Sequence, residues 1–199
     1  MPVPIAVRLA ASLALGVALA ACDNAQPPAQ PPLAGSNIGG PFELTDSRGK
    51  TVRWGDFAGK YRIVYFGYTY CPDVCPTDVA RMSQGLKKFE GEHPALGAQV
   101  QPMFISIDPQ RDTPQVVGEF VANFHPRLIG LSGTPEQIKQ AASAFKVFYE
   151  PGDKSADGSY LMNHSTVTYL FGKNGEPLAT LPTDQGADAV AAELARWVS

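Results

Sequence analysis

The chain has 199 residues, 44% of them hydrophobic and 18% charged, with a formal net charge of −3, which suits one globular domain or one domain with a tail. Its 16 Lys and Arg stand against 19 Asp and Glu, so there is no basic surplus with which to grip a phosphate backbone, and nucleic acid is not an expected partner. Three cysteines are too few for a disulfide scaffold.

Residues 1–21 read as an export signal. Arg8 is their only formally charged side chain, and positions 9–21 are apolar apart from Ser12 and Gly16. That stretch is shorter than the roughly 20 residues a spanning helix needs. Leu19-Ala20-Ala21-Cys22 resembles the lipobox of bacterial lipoproteins, which implies lipidation of Cys22. Cleavage after Ala20 and retention of the segment as an anchor are the alternatives. Asp23 beside Cys22 goes, in enterobacterial lipoproteins, with retention at the inner membrane. The expected location is therefore the periplasmic face of that membrane. Residues 22–40, rich in Pro and Gly, read as a plain tether, and residues 41–199 as the folded domain.

Phe42-Glu43-Leu44 and Thr51-Val52-Arg53 flank Asp46-Ser47-Arg48-Gly49 as a hairpin would. Arg62 to Tyr68 is almost continuously apolar, as in a strand buried on both faces of a parallel sheet. A helix carrying Val79, Met82, Leu86 and Phe89 follows, then a strand Met103-Phe104-Ile105-Ser106-Ile107. Thr113-Pro114 and Thr134-Pro135-Glu136-Gln137 announce two further helices through N-cap and capping-box patterns. Between them lies a short strand, residues 128–131. A polar loop, 150–159, precedes a strand over 166–171. Asn174-Gly175 then turns into Leu178-Ala179-Thr180-Leu181, where Pro177 implies an edge strand or an irregular start. A helix over 187–198 closes the chain. This order predicts an α/β domain with a mostly parallel sheet, ending as a thioredoxin-like fold does and preceded by a β-hairpin.

The chemistry is expected at Cys71-Pro72-Asp73-Val74-Cys75-Pro76, where a buried strand ends and a helix begins. Pro76 suits a first helical turn, and the helix N-terminus favours thiolate over thiol. A purely structural disulfide here closes about five residues and contributes only roughly 2 kcal/mol, so a redox or metal role is the better reading. Two thiolates suit a soft metal ion, and copper(I) accepts two sulfurs and one imidazole. His93 and His125 each precede a proline and read as solvated turn residues. His164, between Asn163 and Ser165 at the entry to a strand, is the candidate third ligand. Asp108, after a parallel strand, could orient a ligand or only fix the turn with Pro109. Asp73 could cap the helix or sit in solvent.

Three segments together resemble the Sco/SenC family of cytochrome c oxidase assembly proteins. They are Gly67-Tyr68-Thr69-Tyr70 leading into the two cysteines, Ile107-Asp108-Pro109 with Arg111-Asp112-Thr113-Pro114, and Asn163-His164-Ser165. The resemblance implies that Cys71, Cys75 and His164 bind copper, as Cu(I) and Cu(II), and that Cys71 and Cys75 are also a redox pair. It further implies assistance to the CuA site of cytochrome c oxidase subunit II, with a periplasmic copper donor and a thiol reductant as further partners. Many members have Asp where this chain has Asn163, which removes a negative charge beside the metal. A thiol–disulfide oxidoreductase acting on the oxidase subunit or another copper carrier is the alternative function. A peroxiredoxin-like peroxidase fits poorly, because Phe66-Gly67-Tyr68-Thr69-Tyr70 is not the usual surround of its attacking cysteine.

Overall fold

In the computed structural model, residues 30–199 are described. The expected export signal, Cys22 and the first part of the expected tether lie outside them. Strands β1 (Glu43–Asp46) and β2 (Thr51–Arg53) pair antiparallel. The turn is set by the Asp46 carboxylate, which accepts from the N–H groups of Arg48 and Lys50 at 2.9 Å each. After a single 3-10 turn at Trp54–Phe57 comes β3 (Tyr61–Gly67), all seven residues of which are buried.

The remaining elements are α1 (Val74–Glu92), a one-turn α2 (Pro94–Gly97), β4 (Val100–Ser106), α3 (Pro114–Val121), β5 (Ile129–Ser132), α4 (Pro135–Ala144), β6 (Tyr149–Pro151), β7 (Met162–His164), β8 (Thr168–Phe171), β9 (Pro177–Leu181) and α5 (Ala187–Trp197). The caps read from sequence form as expected. Thr113 Oγ1 accepts from Val116 N–H, and Thr134 and Gln137 make the reciprocal box.

The main sheet runs β2-β1-β5-β4-β3-β8-β9. Only β3, β4 and β5 are mutually parallel; every other ladder is antiparallel. The expectation of a mostly parallel sheet thus holds for its centre alone, because a hairpin is added on each flank. Neighbouring residues of β3 show how both faces are covered. The Tyr65 hydroxyl donates to Asp78 on α1, while the Phe66 ring lies 5.3 Å from Phe145 at the end of α4. Phe104, beside Tyr65 in the parallel register, meets Phe120 of α3, and α5 packs on α1 through Val190 against Gly85. Helices α1 and α3 therefore share one face, as right-handed crossovers require, and α5 joins them there by packing on α1. On the other, Phe42, Trp54, Phe145 and Phe171 form an aromatic cluster.

Three further details differ from the sequence reading. The end of the tether is not free. Leu33 N–H donates to Leu178 O and Gly39 N–H to Ala144 O, both at 2.9 Å, and Leu33 and Ile38 pack on the core. Gly39 has φ +92, and a Cβ there would lie 2.6 Å from the Phe171 ring, so the chain can lie this close only as glycine. His125 is buried, not solvated. Its Nδ1 accepts from Arg127 N–H at 3.1 Å, and its Nε2 faces Glu90 at 3.3 Å. Finally, the segment read as a loop leading straight into a strand instead carries a separate small sheet, β6 with β7. Pro177 does open an edge strand, with a register irregularity at Leu170 and Phe171.

Candidate functional site

The site lies beyond the carboxyl ends of the parallel strands, where open α/β sheets gather ligands. β3 delivers the chain to Gly67, and the next residues turn into α1, whose second residue is Cys75. The turn is pinned from β4's side. The Asp112 carboxylate accepts from Thr69 N–H at 2.9 Å, from the Thr69 hydroxyl at 2.6 Å and from the Ser106 hydroxyl at 2.6 Å. Gly67 is there because nothing larger fits. A Cβ would lie 2.8 Å from Tyr65, 3.0 Å from Phe104 and 3.2 Å from the Cys75 sulfur.

Both cysteines are free thiols, Cys71 half-buried and Cys75 buried. Cys75 N–H donates to Cys71 Sγ at 3.3 Å. The two thiols are shifted in opposite directions. Burial opposes ionisation of Cys71, but the N–H groups of Asp73 and Cys75, the Cys75 thiol and the Tyr68 hydroxyl outweigh it, and the Cys71 pKa is lowered. Burial, then the neighbouring Cys71 sulfur, pushes Cys75 up to about 12. Cys71 is therefore the more readily ionised and more accessible sulfur, and Cys75 the protonated, enclosed one.

His164 arrives from the small sheet, where it pairs with Tyr149. Its Nε2 lies 3.4 Å from Cys75 Sγ, and its Nδ1 lies 2.8 Å from the carbonyl oxygen of Ser165. A carbonyl only accepts, so Nδ1 carries the proton and donates. Burial lowers the His164 pKa, and the neutral ring then presents the lone pair of Nε2 to the thiols. The Tyr68 ring meets the imidazole edge-on at 5.8 Å.

Cys75 and His164 thus touch, and Cys71 is joined to Cys75 by one hydrogen bond. Among the described residues no three His, Cys, Asp or Glu side chains are gathered tightly enough to hold a metal ion as they stand. The donor set, two sulfurs and an imidazole nitrogen with its proton on the far side, is nonetheless chemically suited to a soft cation.

Asp108 and Asp73 take different places. Asp108 is buried, paired with Arg111 through Nε, and accepts from the Tyr160 hydroxyl at 3.0 Å. Asp73 occupies the N-cap of α1 with its side chain exposed and without a capping bond. Met82 is core. The sequence reading missed Tyr65, Tyr68 and Asp78. Asp78 is buried behind the site; burial raises its pKa against the hydroxyls of Thr183 and Tyr65, and Tyr65 also faces Cys75. Its position three residues after Cys75, one helical turn along, was the available signal.

Comparison with known proteins bears on the whole domain. The SCO1/SenC family model matches residues 30–199. The human mitochondrial protein SCO1 homolog is 38% identical over 158 residues, covering 79% of this chain and 52% of that one. The chain spans about half the length of the curated relatives it matches. Among solved structures, Arabidopsis thaliana ScoI with copper bound superposes with a TM-score of 0.73 at 38% identity, over 79% of this chain and 95% of that one. Bradyrhizobium japonicum ScoI with copper bound gives 0.72 at 36% identity, over 80% and 99%. By sequence over its folded part and by the thioredoxin-like architecture those structures share with it, this chain belongs to the SCO1/SenC family.

Proposed function

We propose that this protein is a membrane-tethered copper carrier that takes up copper on Cys71, Cys75 and His164 and helps fill the CuA site of cytochrome c oxidase subunit II. The observation that carries this reading is the orientation of His164. Its Nδ1–H is committed to the Ser165 carbonyl, and its free Nε2 lies 3.4 Å from a thiol sulfur. Disulfide exchange does not require such a nitrogen, whereas a copper ion shared by two thiolates gains its third donor from it. Copper here is cargo. Its uptake displaces the proton that burial holds on Cys75, so loading releases protons and weakens with acidity. Copper-bound structures of the Arabidopsis and Bradyrhizobium relatives support the choice of metal. Lipidation of Cys22 would tether the domain at the periplasmic face of the inner membrane. There it would meet a copper donor, a reductant for its thiols, and its client.

The contrast between the two thiols favours a second reading, a dithiol reductant for the client's cysteines. The Cys71 thiolate would attack a client disulfide and form a mixed disulfide. Cys75, passing its proton to the departing client thiolate, would then attack Cys71 sulfur. The client leaves as a dithiol and this protein is left as the disulfide, two electrons having moved. His164→Ala separates the two readings. A copper carrier loses its ability to restore oxidase assembly in a strain lacking the protein while retaining most dithiol reductase activity. Full oxidase activity from His164→Ala at limiting copper would give precedence to the reductase.

A further inference from the structure

We infer that Arg111 is a positioning residue that fastens the His164 arm over the two thiols. The inference rests on the copper reading above for its purpose, though not for its geometry. His164 stands on β7, whose only strand partner among the described residues is β6, outside the seven-stranded sheet. The main-chain hydrogen bonds recorded for residues 148–165 run between members of that arm, such as Gly152 N–H to Leu161 O and Ser165 N–H to Phe148 O. The sheet ladder therefore does not set the height of the imidazole above Cys75. Side chains must do so.

Arg111 is built for that task from both sides. Its Nη1 donates to Tyr160 O at 2.8 Å, and its guanidinium lies 3.7 Å from the Tyr160 ring centroid. Tyr160 is two residues before β7. On the thiol side the same guanidinium lies 5.0 Å from the Tyr70 ring and 5.7 Å from the Tyr68 ring. Tyr68 in turn meets His164 edge-on and touches Cys71. The buried Asp108 holds Arg111 at Nε and accepts the Tyr160 hydroxyl, so arm and turn are gripped by one planar cation and its carboxylate. A lysine cannot reproduce this, because it has neither the fork nor the flat face. Asp108, singled out from sequence as a neighbour of the ligands, acts through Arg111 and not on the sulfurs.

The test compares the full-length wild-type protein with Arg111→Met and Arg111→Lys, reduced and metal-free, by residue-resolved amide hydrogen exchange and thermal melting. Exchange at Met162–His164 should speed at least tenfold in both variants, with amides of β3 and β4 unchanged and the melting temperature nearly so. The same proteins loaded with copper(II) should show a weakened sulfur-to-copper charge-transfer band and at least tenfold faster copper(II) release. Copper(I) affinity, which two thiolates sustain, should change less than threefold. Unchanged exchange in the arm, or acceleration spread through the main sheet with a lowered melting temperature, would overturn the inference. So would a loosened arm that leaves the copper(II) band intact. If the wild type itself shows no copper(II)–sulfur band, the proposed function fails, while the exchange comparison still decides whether Arg111 fastens the arm. If Arg111→Met does not fold, the judgement rests on Arg111→Lys alone.

Discussion

Alkylating the reduced protein with iodoacetamide at pH 7.5 should separate its two domain cysteines by rate. Only thiolate reacts, so the rate follows the ionised fraction and access. With its pKa pushed up to about 12, against roughly 8.5 for an ordinary cysteine, Cys75 has a thiolate fraction lower by about three thousandfold at this pH. Enclosure lowers its rate further. Cys71, half-buried and with its pKa lowered by N–H donors at the helix start, should react well ahead of Cys75. Mass spectrometry of peptides after timed quenching should therefore find Cys71 fully modified before Cys75 is detectably so. The Cys75 rate should rise tenfold per pH unit up to about pH 11. A proton held more tightly in the folded state also stabilises that state below the unfolded value, and the benefit is lost as pH climbs from about 8.5 toward 12. In a Cys71→Ser background burial still holds the Cys75 proton, so stability should fall by up to about 1.4 kcal/mol per pH unit from about pH 8.5 upward, over a window that ends below 12 because the raising contribution of the Cys71 sulfur is gone. Equal alkylation rates at the two cysteines, or a faster Cys75, would refute the reasoning.

Three other expectations follow from neighbouring contacts. Gly67→Ala pushes a methyl into two rings and the Cys75 sulfur and should cost about 1–3 kcal/mol, read from the denaturant midpoint. Asp112→Asn confronts three donors with an amide that has one acceptor oxygen and should cost about 1–3 kcal/mol, read from the same midpoint. Burial lowers the His125 pKa, with Glu90 opposing, so the native state holds this ring neutral and loses stability as pH falls below about 6.5. His125→Asn, which keeps an acceptor for Arg127 N–H, should flatten the loss between pH 6.5 and 5 by at most about 1.4 kcal/mol per unit.

Much of this site could be read from the chain because its determinants are local. A buried strand, two cysteines and a proline at a helix start specify where the thiols stand, and the caps at Thr113 and Thr134 depend on residues three apart. His164 was legible through its polar neighbours and the resemblance they completed. Its setting was not: β6 and β7 are three residues each, too short to show a period, and the contacts that surround them are distant in sequence, His164 with Cys75 lying 89 positions apart and Arg111 with Tyr160 lying 49. His125 misread as solvated for a similar reason. A His-Pro pair after a helix looks like a turn, and nothing nearby announces that Glu90, on α1, reaches it. The apolar Leu33 and Ile38 were overshadowed by the prolines and glycines around them, although both pack on the core.

Titration of the protein with copper(I) and copper(II), reduced and then oxidised, with free thiols counted at each point, tests the central claim most directly. The account predicts one copper per reduced domain, with Cys71 and Cys75 both withdrawn from the thiol count. Once the two are bridged as a disulfide, affinity should collapse, since the sulfurs are no longer thiolates. His164→Ala should weaken copper(II) far more than copper(I). Equal uptake by oxidised and reduced protein, or binding no tighter than that of a Cys71→Ser, Cys75→Ser variant, would contradict it.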